Sequence, residues 1–339
     1  KTVSAKASVI LDVAFPLFGT ANRQVLAAES EALYSDKKVE VAMMLDLTGS
    51  MKKAGADDKL GDLQAAAKNA VTTLLAGPNG NGRVRVTLVP YANAVNVGPT
   101  IARNAVYVEK TVSERGKVVS NVAPQNVTTS GRPDNCATER VGSAHAFDDV
   151  GPQVQMVNRD FLLTGFADGD AGYAPSARCP TVAIVPLTAN AATLTDAIDR
   201  FEADGGTGGH IGIQWSWYML SDKWKNIVGT SAAAGPYNDK NVAKYAILMT
   251  DGEFNLGFTG ATALGEVYGA AAADRSIPHA KRLCAEMRKA GIEIFTIGFK
   301  LPNESARDLM RNCATPDTGS MRHFFDASSG TELDQAVRD

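Results

Sequence analysis

Near-continuous apolar runs alternate along most of the chain with segments whose apolar residues recur at helical spacing. The clearest runs are residues 39–45, 242–249 and 292–299, and each predicts a strand that is buried on both faces. Residues 59–76 have helical spacing and are followed by Gly77-Pro78, a typical helix stop. This alternation predicts an α/β fold with a doubly wound (Rossmann-like), mostly parallel sheet covered by helices on both faces.

The carboxyl-terminal half continues the same alternation. We expect a helix from Pro278 to Ala290, with the proline in its first turn and Gly291 as its cap. Further helices are predicted around residue 198, from the loop at residue 207 to residue 220, at 305–312 and from 331, with a strand at 322–325. Trp215 and Trp217 could form a ligand platform, but aromatic residues in an apolar helix favour a core position.

Two stretches depart from this pattern. Residues 1–36 include alternating apolar and polar positions that predict a half-exposed strand, and we expect this segment to pack on a domain formed by residues 37–339. Residues 91–190 show short β-like runs at 105–108 and 118–122 among Gly, Pro, Asn, Asp and Ser. We interpret them as a loop- and β-rich insertion at the ligand end of the sheet, where partner contacts usually lie.

Composition narrows the choice of partner. Of the 339 residues, 45% are hydrophobic and 21% charged, enough for a large core. The net charge of −3 gives no electrostatic reason to expect nucleic acid or an anionic membrane as a partner. The most apolar early stretch, residues 8–18, is broken by Asp12 and Pro16, so no transmembrane segment is predicted. Because the chain begins at Lys1 without a methionine, we expect a processed or excised fragment whose anchor lies outside it.

The chain has four cysteines, and none of them forms a Cys-x-x-Cys pair. An even count at wide spacing fits two disulfides in an oxidising compartment, although four cysteines allow three pairings. We expect Cys136 to pair with Cys179, since both lie in one loop-rich stretch, and Cys284 to pair with Cys313. The alternative is four buried free thiols in a cytosolic protein.

Candidate chemistry begins where the first strand ends. Asp46, Thr48 and Ser50 follow the apolar run, at the position where parallel sheets place ligands. A carboxylate and two hydroxyls are hard oxygen donors that suit a magnesium-like cation. The same residue types also serve ordinary strand-to-helix turns and helix caps, so this motif alone is weak. Two later residues strengthen it, because Asp251 ends a second buried strand and Thr207 lies in a glycine-rich loop before a helix.

Together these five residues resemble the metal-ion-dependent adhesion site of von Willebrand factor A domains. That family's pattern of Asp-x-Ser-x-Ser, then Thr, then Asp falls here on Asp46, Thr48, Ser50, Thr207 and Asp251. The one departure is Thr48 in place of the first serine, which keeps the hydroxyl. The resemblance implies a von Willebrand factor A fold and a bound divalent cation. We expect Mg²⁺, with Mn²⁺ or Ca²⁺ as alternatives, and an acidic side chain of a protein partner as the ligand.

A narrower resemblance covers most of residues 1–339. Leu45-Asp-Leu-Thr-Gly-Ser-Met51, Gly205-Gly-Thr207 with Gly212-x-x-Trp215-x-Trp217, and Asn312-Cys-Ala314 are similar to motifs of TadG-type proteins of bacterial tight-adherence (Tad) pilus assembly. That family implies a short amino-terminal membrane helix, absent here, and a periplasmic or cell-surface location. It also implies a pilus or cell-envelope component, or a surface ligand, as the partner.

Two other functions stay open. One is a structural scaffold or anchor of the pilus machinery that does not depend on metal. The other is a magnesium-dependent phosphohydrolase, but residue 48 is threonine where an aspartate-nucleophile phosphatase would have its second aspartate. We therefore expect a binding protein with no catalytic residues.

Overall fold

The computed structural model describes residues 2–12, 23–33, 37–76, 82–107, 128–129, 132–133, 135–140, 144–155, 157–158, 179–261, 264–319 and 321–338. Its strands are β1 Thr2–Asp12, β2 Arg23–Leu33, β3 Lys38–Asp46, β4 Val84–Tyr91, β5 Val95–Asn96, β6 Val106–Tyr107, β7 Thr128–Thr129, β8 Arg132–Pro133, β9 Cys136–Ala137, β10 Val157–Asn158, β11 Val185–Thr188, β12 Val242–Thr250, β13 Glu293–Phe299 and β14 Phe324–Ala327. Its α-helices are α1 Lys59–Leu75, α2 Gly98–Ala105, α3 Ala191–Asp199, α4 Gly209–Met219, α5 Lys225–Val228, α6 Ala270–Lys289, α7 Glu304–Cys313 and α8 Gly330–Arg338.

The chain divides into two compact units, Lys1–Lys38 and Val39–Asp339. In the first unit, β1 and β2 form an antiparallel hairpin in which Thr2 lies opposite Leu33. The alternating pattern predicted the first of these strands, whereas the second was not predicted. The packing of this segment on the larger unit stays a prediction.

The larger unit is built on an eight-stranded sheet in the order β14-β13-β12-β3-β4-β5-β9, with β11 also paired to β4. The pairs β3–β4, β12–β13 and β13–β14 are parallel, and β11 joins the other side of β4 in the antiparallel direction. This edge strand falls within the range assigned to the insertion. The predicted α/β class, a doubly wound and mostly parallel sheet, is confirmed.

The central strand β3 contributes to two separate cores. Its Val41, Met43 and Leu45 belong to a cluster that includes apolar residues of α1, α3 and α8. Its Ala42 and Met44 belong to a second cluster with apolar residues of α4, α6 and α7. Because successive side chains of a strand point to opposite faces, a strand between two helical layers must be apolar at nearly every position. This explains the near-continuous run that dominates the sequence pattern.

Two predicted elements need correction. Helix α6 begins at Ala270, so Pro278 lies inside it and the predicted start at residue 278 is wrong. The preceding residues include four consecutive alanines, which favour helix, and burial of Ala272 and Ser276 anchors this part of α6 despite the proline. The last strand lies two residues later than predicted. The core position of Trp215 and Trp217 is confirmed, since both are buried.

One disulfide lies within the insertion, and a second joins two helices of the carboxyl-terminal half. Cys136 is bonded to Cys179, and Cys284 of α6 is bonded to Cys313 of α7, so both predicted pairings are confirmed. The insertion also contains α2, which was not predicted, while the run at 118–122 lies outside the described residues. Among the helices described, none is long and apolar enough to cross a membrane.

Candidate metal centre

The candidate site lies where β3 and β12 end side by side. Asp46 is the last residue of β3, and Asp251 directly follows β12. The backbone N–H of Asp251 donates to Asp46 Oδ2 at 3.3 Å, so the two strand ends are in contact. Adjacent strands thus bring together two carboxylates that are about 200 residues apart in the sequence.

The Asp46 carboxylate is fully buried and accepts hydrogen bonds at both oxygens. Oδ1 accepts from the backbone N–H of Thr48 at 2.9 Å and from its hydroxyl at 2.6 Å. Oδ2 accepts from the hydroxyls of Tyr91 at 2.7 Å and Thr250 at 2.8 Å. Burial raises the pKa of Asp46 to about 6, and the nearby charge of Asp251 adds to the rise, while the bonds from Thr48 and Tyr91 oppose it.

The two hydroxyls of the motif bridge the carboxylates. Thr48 Oγ1 donates to Asp46, and Ser50 Oγ donates to Asp251 Oδ1 at 2.6 Å. The two hydroxyl oxygens are 2.9 Å apart. A hydroxyl has one hydrogen, so with both carboxylates ionised neither hydrogen is left for this contact. The two oxygens therefore present lone pairs towards each other, an arrangement that a cation would stabilise.

The loop with Thr207 is fixed by bonds to the loops that follow three strands. Gly49 N–H donates to the Gly205 carbonyl at 2.8 Å, and Gly206 N–H donates to Asn93 Oδ1 at 2.5 Å. Thr207 N–H donates to Asn255 Oδ1 at 3.1 Å. Gly205 has a φ of 85°, a left-handed conformation that favours glycine. These contacts hold Thr207 at the same edge of the sheet as the two aspartates.

A small open space separates Ser50, Thr207 and the backbone of Gly252. A Cβ added to Gly252 would lie 3.9 Å from Ser50 Oγ and 4.0 Å from Thr207 Oγ1. Both hydroxyls therefore face the space that a side chain at residue 252 would fill. Glycine keeps this space open.

A lysine also reaches the site from the first residue of α1. Lys59 Nζ donates to Asp251 Oδ2 at 2.8 Å, and the lysine side chain is 18% exposed whereas that of Asp251 is fully buried. The ammonium offsets one of the two carboxylate charges. One negative charge is left when both aspartates are ionised.

The residues present fit a divalent cation. Three separate segments of the chain supply the five predicted oxygen donors, which the structure brings to one edge of the sheet. All five are hard oxygen ligands of the kind that Mg²⁺ prefers. The site also has a residual negative charge, two hydroxyl oxygens whose lone pairs face each other, and an open space beside Gly252. Metal binding by Asp46, Thr48, Ser50, Thr207 and Asp251 stays a prediction.

Sequence reasoning missed the residues that support the site. Tyr91 and Thr250 hold Asp46, Asn93 and Asn255 hold the Thr207 loop, and Lys59 pairs with Asp251. Tyr91, Asn93, Thr250 and Asn255 all lie within five residues of the end of a strand that reaches the site. Polar residues just after a predicted parallel strand are thus the signal that could have found them.

No protein-family model matches the sequence, and no curated protein matches it. Among solved structures, the chain is similar to the vWF domain of the type V pili tip protein Mfa5 from Porphyromonas gingivalis, with 14% identity, 89% of this chain and 93% of that chain covered, and a TM-score of 0.47. It is similar to the pilus adhesin SpaC from Lactobacillus rhamnosus GG, with 16% identity, 89% of this chain and 30% of that chain covered, and a TM-score of 0.46. It is also similar to the PilB minor pilin from Streptococcus sanguinis, with 11% identity, 99% of this chain and 77% of that chain covered, and a TM-score of 0.45. With these TM-scores below 0.5, the interpretation of the site depends on its own residues.

Proposed function

We propose that this chain is an extracytoplasmic adhesion or interaction module of the von Willebrand factor A type that binds a protein partner through a metal-ion-dependent adhesion site. The observation that carries the proposal is the convergence of two buried carboxylates and three hydroxyls from three chain segments. Most carboxylates of a protein are solvated, and burying two side by side is costly unless a cation offsets their charge.

Each residue of the site has a distinct role in this proposal. Thr48 and Ser50 offer hydroxyl oxygens as direct ligands, and Thr207 offers a third, directly or through water. Asp46 and Asp251 accept hydrogen bonds from the hydroxyls and supply negative charge. Each carboxylate contacts the ion either directly or through a water molecule. When bound, the cation supplies a positive charge to which an acidic side chain of the partner binds. We propose Mg²⁺ as the resident ion, with Mn²⁺ and Ca²⁺ as alternatives.

The partner that we propose is a component of a bacterial pilus or cell envelope, or a surface ligand. Two features of this chain support an extracytoplasmic setting: its sequence motifs and its two disulfides, which persist in oxidising compartments. A Tad-type pilus system is the specific setting proposed, with attachment of the full-length protein to the membrane through an amino-terminal anchor.

The direct test is calorimetric titration of Mg²⁺, Mn²⁺ and Ca²⁺ into metal-stripped protein. We expect saturable binding with one site in the wild type and none in the folded Asp46→Ala/Asp251→Ala variant. Asp196→Ala is the matched control, because Asp196 is an exposed aspartate of α3. Absence of binding to the wild type would remove the adhesion-site proposal and leave the fold unchanged.

A second measurement separates binding from catalysis and tests the partner's chemistry. With the cation present, a glutamate-rich peptide should bind to the wild type. The same peptide with glutamine in place of each glutamate should not bind. Hydrolysis of p-nitrophenyl phosphate with Mg²⁺ should stay at the level of buffer. Turnover that is lost in the Asp46→Ala variant would instead support a phosphohydrolase.

One observation favours a metal-independent scaffold as the second candidate function. Lys59 already pairs with Asp251 at 2.8 Å, so the chain holds its own counter-ion within the site. If the lysine competes with a metal, Lys59→Met should raise the affinity for Mg²⁺ by about tenfold, which corresponds to about 1.4 kcal/mol. If the lysine replaces a metal, the variant should lose stability and Mg²⁺ should not restore it. Lys68→Met, which removes an exposed ion pair with Asp199, is the control.

A further inference from the structure

A cavity lies between the insertion and helices α4 and α6, and none of the five candidate ligands lines it. Its volume is about 420 Å³. Glu139, His210 and His279 line it, and each is at most 8% exposed. One atom of each has no hydrogen-bond partner: Glu139 Oε2, His210 Nδ1 and His279 Nε2. Buried polar atoms are rarely left unpaired, so these point to a bound species.

Hydrogen bonding assigns the hydrogen on each imidazole. Glu139 Oε1 accepts from the backbone N–H of Phe258 at 2.8 Å and lies 2.7 Å from His210 Nε2. The carboxylate is therefore an acceptor and His210 has a hydrogen on Nε2, so a neutral His210 keeps a lone pair on Nδ1. The Ala146 carbonyl accepts from the His279 ring, whose unpartnered atom is Nε2. A neutral His279 thus also presents a lone pair to the cavity.

This pattern is characteristic of metal-binding histidines. Such residues usually donate one ring N–H to a carboxylate or a backbone carbonyl, which fixes the tautomer and leaves the other nitrogen for the metal. Here a carboxylate holds one ring and a carbonyl holds the other. The two nitrogens left over belong to rings that line the same cavity.

The separation of the rings is compatible with a shared ion. Their centroids are 5.1 Å apart. A Zn–N distance of about 2.1 Å puts each centroid about 3.2 Å from the metal, and the observed separation then corresponds to an angle of about 105° at the ion, near the tetrahedral value. The other charged residues of the lining, Asp274, Arg275 and Arg282, sum with Glu139 to no net charge.

We propose that this cavity binds one divalent transition-metal ion of the Zn²⁺ class, with His210 and His279 as its protein ligands. Glu139 and the Ala146 carbonyl are positioning groups. The Thr259 hydroxyl, which lines the cavity and has no partner, and water complete the coordination. Among the described residues, no group of three or more His, Cys, Asp or Glu side chains is arranged to hold a metal, and the proposed site has two imidazole ligands. It would link α4 to α6 and stabilise the insertion segment that contacts both rings.

The test uses tag-free, metal-stripped protein in excess Mg²⁺, so that the adhesion site does not contribute. Calorimetric titration with ZnCl₂ should show one site, and His210→Gln and His279→Gln should each weaken it at least tenfold. His323→Gln is the matched control, since His323 is also buried but pairs with Glu293 elsewhere. Asp251→Asn should also keep Zn²⁺ binding. No binding to the wild type, or equal binding in all variants, would overturn the proposal and leave a water-filled cavity.

A spectroscopic measurement avoids the risk that the glutamine variants do not fold. Cu²⁺ added in equimolar amount to the wild type should give an electron paramagnetic resonance spectrum with coupling to two nitrogens. EDTA should lower the melting temperature of the wild type, and added Zn²⁺ should restore it whereas Mg²⁺ should not. Bound Cu²⁺ without nitrogen coupling would overturn the assignment of the two histidines.

Discussion

The Asp46 side chain is the most constrained group of the candidate centre. It is fully buried, yet hydrogen bonds from five groups reach its two oxygens. A buried carboxylate without such donors would take up a proton or disrupt the core. The surrounding hydroxyls thus keep a charge available at the end of β3, and removing one of them should have a measurable cost.

Tyr91→Phe should test this dependence. The change removes the 2.7 Å bond from the tyrosine hydroxyl to Asp46 Oδ2 and keeps the ring in the core. Because the acceptor is a buried charge, we expect the free energy of unfolding in urea to fall by about 1.5–3 kcal/mol. Tyr268→Phe removes the hydroxyl of a tyrosine that is 48% exposed, and it should change stability by less than about 0.5 kcal/mol. Equal effects of the two substitutions would contradict this account of Asp46.

At the residue scale, local motifs were predictable and long-range partners were not. Asp46, Thr48 and Ser50 lie within five residues, so one strand end and one motif identified them. Lys59 pairs with Asp251 across 192 residues, and Asn93 bonds Gly206 across 113. Such pairs depend on which strands become neighbours, and sequence spacing does not report that.

At the element scale, helix α4 lies unusually close to the sheet beneath the site. A Cβ at Gly212 would come within 2.9 Å of Met44 Sδ and 3.0 Å of Tyr91 Cγ. Glycine inside a helix costs roughly 1 kcal/mol relative to alanine, so this residue lowers helix propensity in exchange for close packing. Tyr91 in turn holds Asp46, so the packing of α4 also positions the carboxylate.

Gly212→Ala should therefore destabilise the protein although it favours the helix. Overpacking typically costs 1–3 kcal/mol, which exceeds the propensity gain, and we expect a net loss of about 1 kcal/mol in urea unfolding. Because the added methyl pushes on Tyr91, Mg²⁺ binding should weaken as well. Gly265→Ala is the control, since nothing lies within 4 Å of a Cβ there. A Gly212→Ala variant that is as stable as the wild type would contradict this account, because it would show that Met44 and Tyr91 move aside without loss of stability.

A buried aspartate anchors the insertion to the carboxyl-terminal half. Asp149 accepts hydrogen bonds from Ser221 at 2.6 Å, Lys223 at 2.5 Å and Tyr237 at 2.8 Å. Burial alone would raise the pKa of Asp149, but the bonds from Lys223, Ser221 and Tyr237 outweigh it and hold the pKa below its usual value. The folded protein thus binds this proton less readily than the unfolded chain.

The pH dependence of stability follows from that sign. The contribution of Asp149 is complete above the unfolded pKa of about 3.9 and is lost as the pH falls through the lower folded value. At pH 7 we expect Asp149→Asn to lower the free energy of unfolding by about 1.5–3 kcal/mol. The difference from the wild type should shrink below about pH 4. Urea unfolding at pH 7, 5 and 3 measures it, with the exposed Asp196→Asn as control. A difference that is constant with pH would exclude this linkage.

Elements were predictable where periodicity was strong. Strands β3, β12 and β13 and helix α1 were predicted within two residues at either end, because burial on both faces or on one stripe leaves a clear pattern. The four-residue strand β11 and the eight-residue helix α2 are too short to show one. Tertiary burial rather than local preference fixes where α6 begins, and the proline misled the prediction.

At the largest scale, two helical layers on one sheet form the fold of the unit Val39–Asp339, and two disulfides lie within it. The bond between Cys284 and Cys313 joins α6 to α7 within one core cluster, where both cysteines are at most 1% exposed. The bond between Cys136 and Cys179 closes a loop of the insertion, and Cys179 is partly exposed. The two bonds therefore differ in access to a reductant.

Reduction should occur in two stages. Thiol–disulfide exchange needs an attacking thiolate to reach a sulfur, so mild dithiothreitol on the folded protein should open Cys136–Cys179 first. Alkylation and mass spectrometry should then find label on these two cysteines, and Cys284 and Cys313 should react only when the protein unfolds.

The Cys284–Cys313 bond closes a 29-residue separation, so its loss should lower the free energy of unfolding by about 3–4 kcal/mol in the chain-entropy estimate. In denaturant without reductant no free thiol should be found. Four free thiols there would remove both bonds, and with them the support that the cysteines give to an extracytoplasmic setting.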